Sequence, residues 1–322
     1  MKRWACFLVL VLTAPVWAQE WKPPEIPFHF VPDFVKLPDK IYFGEVVGVA
    51  LDSKGNIYVA NRGLHPLIEL NPDGTFMRTI GEGFVNFDVP HSVRIDAQDN
   101  IWYVDAGADI VVEFNQQARL LMVLGRRPEP WTWLTHGIRD AIPAPWLFYQ
   151  PTNVDFGADG SIYVTDGYGN SRVAKFNSDG NLVKYWGDRG TGPGQFHTPH
   201  AIVLDSKGTL YVGDRENHRI QLFDADGKYL SEWTGMGAPW GMCITPGPSQ
   251  IIYSADGISG RFYKINLQGK TLGAFGTPGK GQHQFGWVHS IACPSEDVIY
   301  AAEEINYRLD KLMIEPRSLT AN

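Results

Sequence analysis

The chain has 322 residues, of which 35 are acidic and 28 are lysine or arginine, and its formal net charge at pH 7 is −7. No run of basic residues concentrates positive charge, so nucleic acid is not an expected partner. Beyond the first residues, no segment is apolar over the ~20 residues that a membrane-spanning helix needs, so no membrane span is expected.

The N-terminal residues predict a secretory signal peptide. A basic start precedes an apolar run that is too short to cross a bilayer comfortably, and Val16-Trp17-Ala18 then forms a small-x-small cleavage site. We therefore expect residues 1–18 to be removed and the mature protein to be secreted or periplasmic.

Two cysteines, Cys243 and Cys293, lie in the expected mature chain. They could pair in an oxidising compartment, or both could be buried as free thiols. Two cysteines do not make the disulfide framework that is typical of small secreted domains, and this favours the free thiols.

Beyond residue 45 the chain repeats one phrase. Each copy has a short alternating strand, a turn rich in Asp, Gly, Asn and Lys, and a second strand that ends in Asn, Asp or Glu. The copies cover residues 48–61, 92–105, 153–166, 201–214, 241–256 and 290–303. Two more strands follow in most copies, and no stretch has a sustained helical period. Four short strands per unit predict an all-β fold, a six-bladed β-propeller of four-stranded blades.

The last copy lacks an outer strand, because little sequence follows residues 307–314. We expect the N-terminal segment, 19–45, to supply that strand from within residues 26–43 and so to close the ring, which removes exposed sheet edges. The propeller is then expected to cover residues 46–316, with 317–322 as a C-terminal tail.

One position of the repeat concentrates histidine. We call it the slot position; it lies just before the first strand of each copy, and that strand lines the central channel of a propeller. In chain order the slot positions hold Val47, His91, Thr152, His200, Trp240 and His289. Since the chain has 9 histidines in all, finding them in three of six equivalent positions, in alternate copies, is not expected by chance.

The placement of these three slot histidines indicates a metal site. Alternate blades of a six-bladed ring are about a third of a turn apart, so the three imidazoles should converge on the axis. Three imidazoles with an open coordination position form a typical catalytic Zn²⁺ site. The alternative is three hydrogen-bonded histidines at a channel mouth.

The residues after the second strand should face the same end of the channel. Arg62 in copy one and Arg215 in copy four suit a carboxylate ligand, although each could instead form a salt bridge with a neighbouring acidic side chain. In copy three, Tyr168 could lose its proton beside a metal ion and an arginine, or it could be an aromatic residue of the rim.

A long insertion between copies two and three is rich in aromatic residues. These side chains could wall a substrate groove or could pack together as a lid without a role in specificity. They are Trp131, Trp133, Trp146 and Phe148.

These motifs resemble those of the peptidyl-α-hydroxyglycine α-amidating lyases, six-bladed propellers of the NHL-repeat type. The resemblance covers most of the mature chain and is strongest at residues 149–187, 192–205 and 212–223. The family cleaves a peptidyl-α-hydroxyglycine to a peptide amide and glyoxylate. Its substrate is made by a copper-dependent hydroxylase that nothing in this chain could house, so a separate hydroxylase partner is possible.

The resemblance also implies roles for individual residues. One Zn²⁺ would lie on the three slot histidines, and Tyr168 would be the catalytic base. Arg62 and Arg215 would be active-site arginines, with Arg62 holding the substrate carboxylate and the tyrosinate. Ser290 replaces an aspartate that helps the family to hold a structural Ca²⁺ on the axis, which leaves calcium open, and Gly169 replaces a disulfide-bonded cysteine of vertebrate members.

Two other functions are consistent with a propeller. A non-catalytic NHL propeller would bind a protein or a glycan at the channel mouth, but it would not need three histidines in alternate slots. A propeller lactonase or hydrolase would hold its metal mainly with Glu, Asp and Asn, which the slot positions lack. The expected ligand is therefore a small molecule or peptide with an α-hydroxyglycine-like end.

Overall fold

The alternating phrases of the sequence form β-hairpins, and each hairpin is the inner half of a four-stranded antiparallel sheet. The structure, a computed structural model, describes residues 22–82, 88–127, 145–281 and 283–315. The predicted signal peptide and C-terminal tail lie outside the described residues. The predicted fold class, an all-β six-bladed propeller, is confirmed.

The first three blades use strands in simple chain order from the inside outward. Blade one contains β2 (Val46–Leu51), β3 (Ile57–Asn61), β4 (Leu67–Leu70) and β5 (Phe76–Thr79). Blade two contains β6 (Pro90–Ile95), β7 (Ile101–Asp105), β8 (Ile110–Phe114) and β9 (Leu120–Gly125). Blade three contains β10 (Asn153–Phe156), β11 (Ile162–Asp166), β12 (Arg172–Phe176) and β13 (Leu182–Trp186).

Blades four and five follow the same order, and blade six borrows its outer strand from the N-terminal segment. Blade four contains β14 (Pro199–Leu204), β15 (Leu210–Asp214), β16 (Arg219–Phe223) and β17 (Tyr229–Thr234). Blade five contains β18 (Pro239–Ile244), β19 (Ile251–Asp256), β20 (Arg261–Asn266) and β21 (Thr271–Phe275). Blade six contains β24 (Val288–Ser295), β25 (Val298–Glu303), β26 (Arg308–Ile314) and β1 (Phe28–Phe30). A short parallel pair, β22 (Thr277–Pro278) and β23 (Gln284–Phe285), lies between blades five and six.

The strand that completes blade six comes from the segment in which the sequence analysis expected it. β1 pairs with β26 in antiparallel register, with Phe28 opposite Ile314 and Phe30 opposite Leu312. The two phenylalanine rings also pack on Phe285, with centroids 5.8 and 5.3 Å from its ring. Backbone pairing with β26 and aromatic packing on Phe285 therefore both hold this segment in place.

The core is divided into apolar layers, one between each pair of neighbouring blades. Between blades one and two, Tyr58 packs with Val93 and Tyr103. Between blades six and one, Val46 packs with Tyr300, so the last blade contacts the first and the ring is closed. Burying one large apolar side chain in such a layer contributes ~1.5–3 kcal/mol.

The prediction of two free thiols is wrong. Cys243 on β18 and Cys293 on β24 form a disulfide, and their Cα atoms are 5.8 Å apart. The two residues are separated by 50 positions, which is close to one repeat, so they occupy similar places on the inner strands of adjacent blades. Such strands lie side by side in a propeller, which brings the two side chains together.

Candidate metal centre and channel mouth

A bulge in the inner strand presents the slot residue of most blades. In blades one, two, four, five and six, the pairing of the first strand with the second skips one residue. The skipped residues are Val47, His91, His200, Trp240 and His289. A bulged residue is released from the hydrogen-bond ladder, which redirects its side chain. The bulge is thus the local feature that directs these side chains towards the channel.

The three slot histidines meet, as their alternation predicted. Their ring centroids are 4.6 to 4.8 Å apart in every pair. One ring nitrogen from each histidine lies within 4.8 Å of the other two, and all three side chains are buried. This cluster could hold a metal ion, and no other cluster of histidine, cysteine or acidic side chains of this kind occurs in the part of the chain that the structure describes.

The orientation of each imidazole is set by the next blade. Each Nδ1 donates a hydrogen bond to the backbone carbonyl of the following slot residue: His91 to Thr152 at 2.6 Å, His200 to Trp240 at 2.6 Å and His289 to Val47 at 2.8 Å. Because a carbonyl can only accept, each Nδ1 carries the hydrogen and each Nε2 keeps its lone pair. Histidines that bind metal ions use this kind of second hydrogen bond to fix the ring and its tautomer.

The electrostatic environment keeps these imidazoles neutral. Burial lowers the pKa of His91 and of His200 well below its ordinary value, and it lowers the pKa of His289 to about 3. The positive charge of Arg215 lowers all three pKa values further, and that of Arg62 lowers the pKa values of His91 and His289. A neutral imidazole is the form that binds metal, so the site is ready for a cation at neutral pH.

These pKa shifts predict how stability depends on pH. In the unfolded chain His289 binds a proton once the pH falls below the ordinary histidine pKa of 6.5. In the folded protein it stays neutral until the pH is about 3. The unfolded state then binds more protons, so the free energy of unfolding of the metal-free protein should fall as pH falls from 7.5 to 5. Urea unfolding at several pH values measures this, and His289→Asn should make the dependence shallower. A free energy of unfolding that is flat over this range would contradict the prediction.

The Tyr168 hydroxyl lies against the histidine cluster. Its oxygen is 3.1 Å from His91 Nε2 and 3.4 Å from His200 Nε2. The loop can approach blade four this closely because Gly167 has no side chain: a Cβ there would lie 2.2 Å from the carbonyl oxygen of Pro199. The phenol and the imidazole nitrogens of the cluster therefore share one small space.

Arg215 is the arginine beside this phenol. Its Nη1 donates to the Tyr168 hydroxyl at 3.3 Å, and its guanidinium lies 5.3 Å from the Tyr168 ring and 4.6 Å from the Trp240 ring. Its Nε donates to Glu216 at 2.8 Å. The sequence analysis assigned the tyrosinate to Arg62, and that assignment is corrected: the arginine that contacts the phenol follows β15 in blade four, next to His200.

Arg62 instead forms the salt bridge that the sequence analysis left open. Its Nη1 donates to Glu304 Oε1 at 2.6 Å, and its Nε donates to the carbonyl of Pro90 at 3.2 Å. Burial raises the pKa of Glu304, and the charge of Arg62 opposes that shift. Sequence reasoning missed Glu304. This residue directly follows the second strand of copy six, just as Arg62 directly follows the second strand of copy one, so aligning the copies could have found it.

Buried acidic residues at the ends of the second strands position the loops of this face. Asp214 accepts a hydrogen bond at 2.7 Å from the backbone N–H of His197, a residue that precedes the inner strand. It also accepts hydrogen bonds at 2.8 Å from Asn217 and Arg219, two residues that follow the second strand. Asp166 does the same in blade three, where it accepts from the Tyr149 N–H at 2.8 Å. Each acid thus joins the two loops that carry the side chains of the site.

The aromatic residues of the insertion have different places. Trp131 and Trp133 lie outside the described residues. Trp146 is exposed, whereas Phe148 is buried and packs on Phe176 with ring centroids 5.7 Å apart, so Phe148 belongs to the core rather than to a groove wall. Sequence reasoning also missed exposed Trp287, whose ring lies 5.7 Å from that of Trp240 at the mouth.

Six four-stranded blades around a three-histidine cluster define a β-propeller with a candidate metal centre at one end of its channel. A sequence-family model described as a 6-bladed beta-propeller matches residues 146–259. NHL repeat-containing protein 3 of Homo sapiens is 31% identical over 261 residues, which is 77% of this chain and 70% of that protein. The chain belongs to this family of NHL-repeat propellers.

Proteins of peptide amidation are also similar to the chain. Peptidylglycine alpha-amidating monooxygenase of Rattus norvegicus is 31% identical over 244 residues, which is 65% of this chain but 24% of that protein. A protein of Caenorhabditis elegans named as a probable peptidyl-alpha-hydroxyglycine alpha-amidating lyase is 28% identical over 207 residues, 56% of each protein. The chain thus spans between a quarter and about half of these relatives.

Among solved structures, a gluconolactonase from Xanthomonas campestris shares the fold with a TM-score of 0.64 and 15% identity. The match covers 92% of this chain and 96% of that one. At this identity the likeness is one of fold alone. The described residues contain no helix that is both long and apolar enough to cross a membrane.

Proposed function

We propose that the protein is a metal-dependent carbon–nitrogen lyase that cleaves a peptidyl- or N-acyl-α-hydroxyglycine to an amide and glyoxylate. One observation carries the proposal: three neutral imidazoles, a phenol and a guanidinium converge at one end of the channel. A module that only binds a protein or a glycan does not need this convergence. The similarity to proteins named for peptide amidation supports the same reaction class.

The metal in this proposal is one Zn²⁺ per chain, held by His91, His200 and His289. The donor set fits, because the three Nδ1–H groups are already used by carbonyls and the three Nε2 lone pairs converge. When bound, a divalent cation supplies Lewis acidity, which stabilises negative charge that develops on the substrate hydroxyl oxygen.

Proton transfer is assigned to Tyr168. Its hydroxyl oxygen lies beside two of the imidazole nitrogens and accepts a hydrogen bond from Arg215, which would stabilise the phenolate form. The phenolate takes the proton of the substrate hydroxyl as a general base. The electron pair of that O–H bond forms the carbonyl of glyoxylate while the C–N bond breaks. The amide nitrogen keeps the electron pair of the C–N bond and receives the proton from Tyr168, so the step needs no oxidant or reductant.

Arg62 is the proposed partner of the substrate carboxylate. Glu304 and the Pro90 carbonyl hold its guanidinium in place from two sides. A guanidinium fixed in this way pairs well with a carboxylate, since its remaining N–H groups lie in one plane. Glu304 already offsets much of the positive charge of Arg62, so a substrate carboxylate should bind where it contacts Arg215 as well.

The test is to measure glyoxylate release from N-benzoyl-α-hydroxyglycine above its spontaneous rate, with zinc content measured on the same sample. We expect release by the zinc-loaded protein and loss of activity after metal removal. A loaded protein that releases no glyoxylate would refute the proposed reaction, even if the metal centre stands. An aldonolactone, assayed in parallel, tests for hydrolase activity of the gluconolactonase kind.

We also propose that the protein lies outside the cytoplasm. The Cys243–Cys293 disulfide supports an oxidising compartment, which agrees with the predicted signal peptide and with a secreted or periplasmic location. The substrate would come from a reaction that hydroxylates the α-carbon of an N-acylglycine, carried out by a separate hydroxylase.

A further inference from the structure

Arg94 reaches from the inner strand of blade two into the central channel. It lies three residues beyond His91 on β6. The Arg94 side chain is half-buried, and burial lowers the pKa of its guanidinium. The channel therefore has a fixed positive charge three residues further along the inner strand than the slot histidine of the same blade.

Three other blades supply the acceptors for this guanidinium. Its Nε donates to Asn153 Oδ1 of blade three at 3.1 Å. Its Nη2 donates to the backbone carbonyl of Ile202 in blade four at 3.3 Å and to that of Met242 in blade five at 3.1 Å. Ile202 and Met242 each lie two residues after a slot residue, so the inner strands turn these carbonyls towards the axis at the same depth. One side chain thus joins four blades.

The compensating negative charge belongs to Asp155 on the inner strand of blade three. Its charge favours the ionised form of Arg94, and the charge of Arg94 favours the carboxylate of Asp155. The carboxylate also accepts from the Leu204 N–H at 2.9 Å. Among the described residues, the channel therefore contains a half-buried cation, a half-buried anion and several carbonyl oxygens.

Carbonyl, amide and carboxylate oxygens are the ligands that Ca²⁺ prefers. In this protein the Asn153 amide oxygen and two backbone carbonyls accept hydrogen bonds from the Arg94 guanidinium, and the nearby Asp155 carboxylate favours its charge. This guanidinium would repel a second cation. At residue 290, where the family resemblance implies an aspartate for calcium, the chain has a buried serine, whose hydroxyl brings no charge. We propose that Arg94 is the axial cation of this propeller and that the protein binds no structural calcium on its axis. The inference does not depend on the proposed lyase activity.

The first test uses the wild-type protein. After dialysis into calcium-free buffer, equilibrium dialysis with ⁴⁵Ca²⁺ should show no stoichiometric binding. The melting temperature should not change when millimolar Ca²⁺ is added. One calcium ion bound per chain, together with a saturable rise in melting temperature, would overturn the proposal.

The second test removes the guanidinium. Arg94→Ala should lower the melting temperature by several degrees, because it leaves Asp155 and the carbonyls without their partner. Added guanidinium ion at low millimolar concentration should raise the melting temperature of this variant but not that of the wild type. Arg119→Ala, which changes an exposed arginine, is the matched control and should melt like the wild type. An Arg94→Ala protein that is as stable as the control would overturn the proposal. If this variant does not fold, the calcium measurement on the wild-type protein decides the proposal.

Discussion

Replacing Tyr168 with phenylalanine is expected to lower the rate constant for glyoxylate release by ~10²–10⁴, the usual contribution of a positioned general acid–base group. The change removes only the hydroxyl that lies 3.1 Å from His91 Nε2 and accepts from Arg215. The Nδ1 hydrogen bonds that orient the histidines do not involve Tyr168, so zinc content should stay at the wild-type level. Steady-state kinetics and metal analysis of the same preparation measure both quantities.

The matched control for this change is Tyr185→Phe, because Tyr185 is an exposed tyrosine on the outer strand of blade three. It should release glyoxylate at the wild-type rate. If Tyr168→Phe also kept the wild-type rate with a full complement of metal, the general base would have to be another group. A loss of rate that came with a loss of metal would instead assign Tyr168 a role in metal retention.

The second large effect is expected from His200→Ala. It removes one of three proposed ligands and leaves two imidazoles, a set that no longer matches a three-histidine site. The protein should lose its metal on dialysis and lose its activity with it. The fold should survive, because the apolar layers between blades are unaffected and the lost Nδ1 hydrogen bond costs only ~1–3 kcal/mol through the unpaired carbonyl.

His197→Ala is the control for this variant. His197 lies three residues earlier, and its Nε2 contacts Arg189 rather than the cluster. This variant should keep stoichiometric metal after the same dialysis. If His200→Ala kept it as well, the metal of the protein would bind elsewhere, and the convergence of the slot histidines would need another explanation.

The repeat made the fold and the histidine cluster predictable. His91, His200 and His289 could be found because each occupies the same place in its copy, and a periodic fold converts equal places in the sequence into equal places around an axis. The same argument could have found Glu304, which is in register with Arg62. The pairing of Arg215 with Tyr168 was not accessible in this way, because it depends on how two loops of neighbouring blades bend towards each other.

Other features escaped because they depend on contacts across the ring. Arg94 has the sequence context of any polar residue on an alternating strand, and only the closed ring shows that its guanidinium meets carbonyls of blades four and five. Cys243 and Cys293 lie 50 positions apart, close to one repeat, but only the closed ring shows that their side chains meet. Their adjacency follows from the packing of inner strands, which no local pattern records.

Closure of the ring through β1 has a consequence for the order of folding. β1 is the first and β26 the last of the described strands to be synthesised. Because β1 pairs with β26, it cannot form its hydrogen bonds until the whole propeller has been made. Contacts of such large sequence separation form late and slowly. His289, the third proposed ligand, lies on the inner strand of the same final blade. A chain with five blades formed has two histidines in place and an open sheet edge, whereas zinc can bind all three ligands only in the closed ring. Metal binding would therefore act after assembly, as a selective stabiliser of the complete propeller over its open precursors.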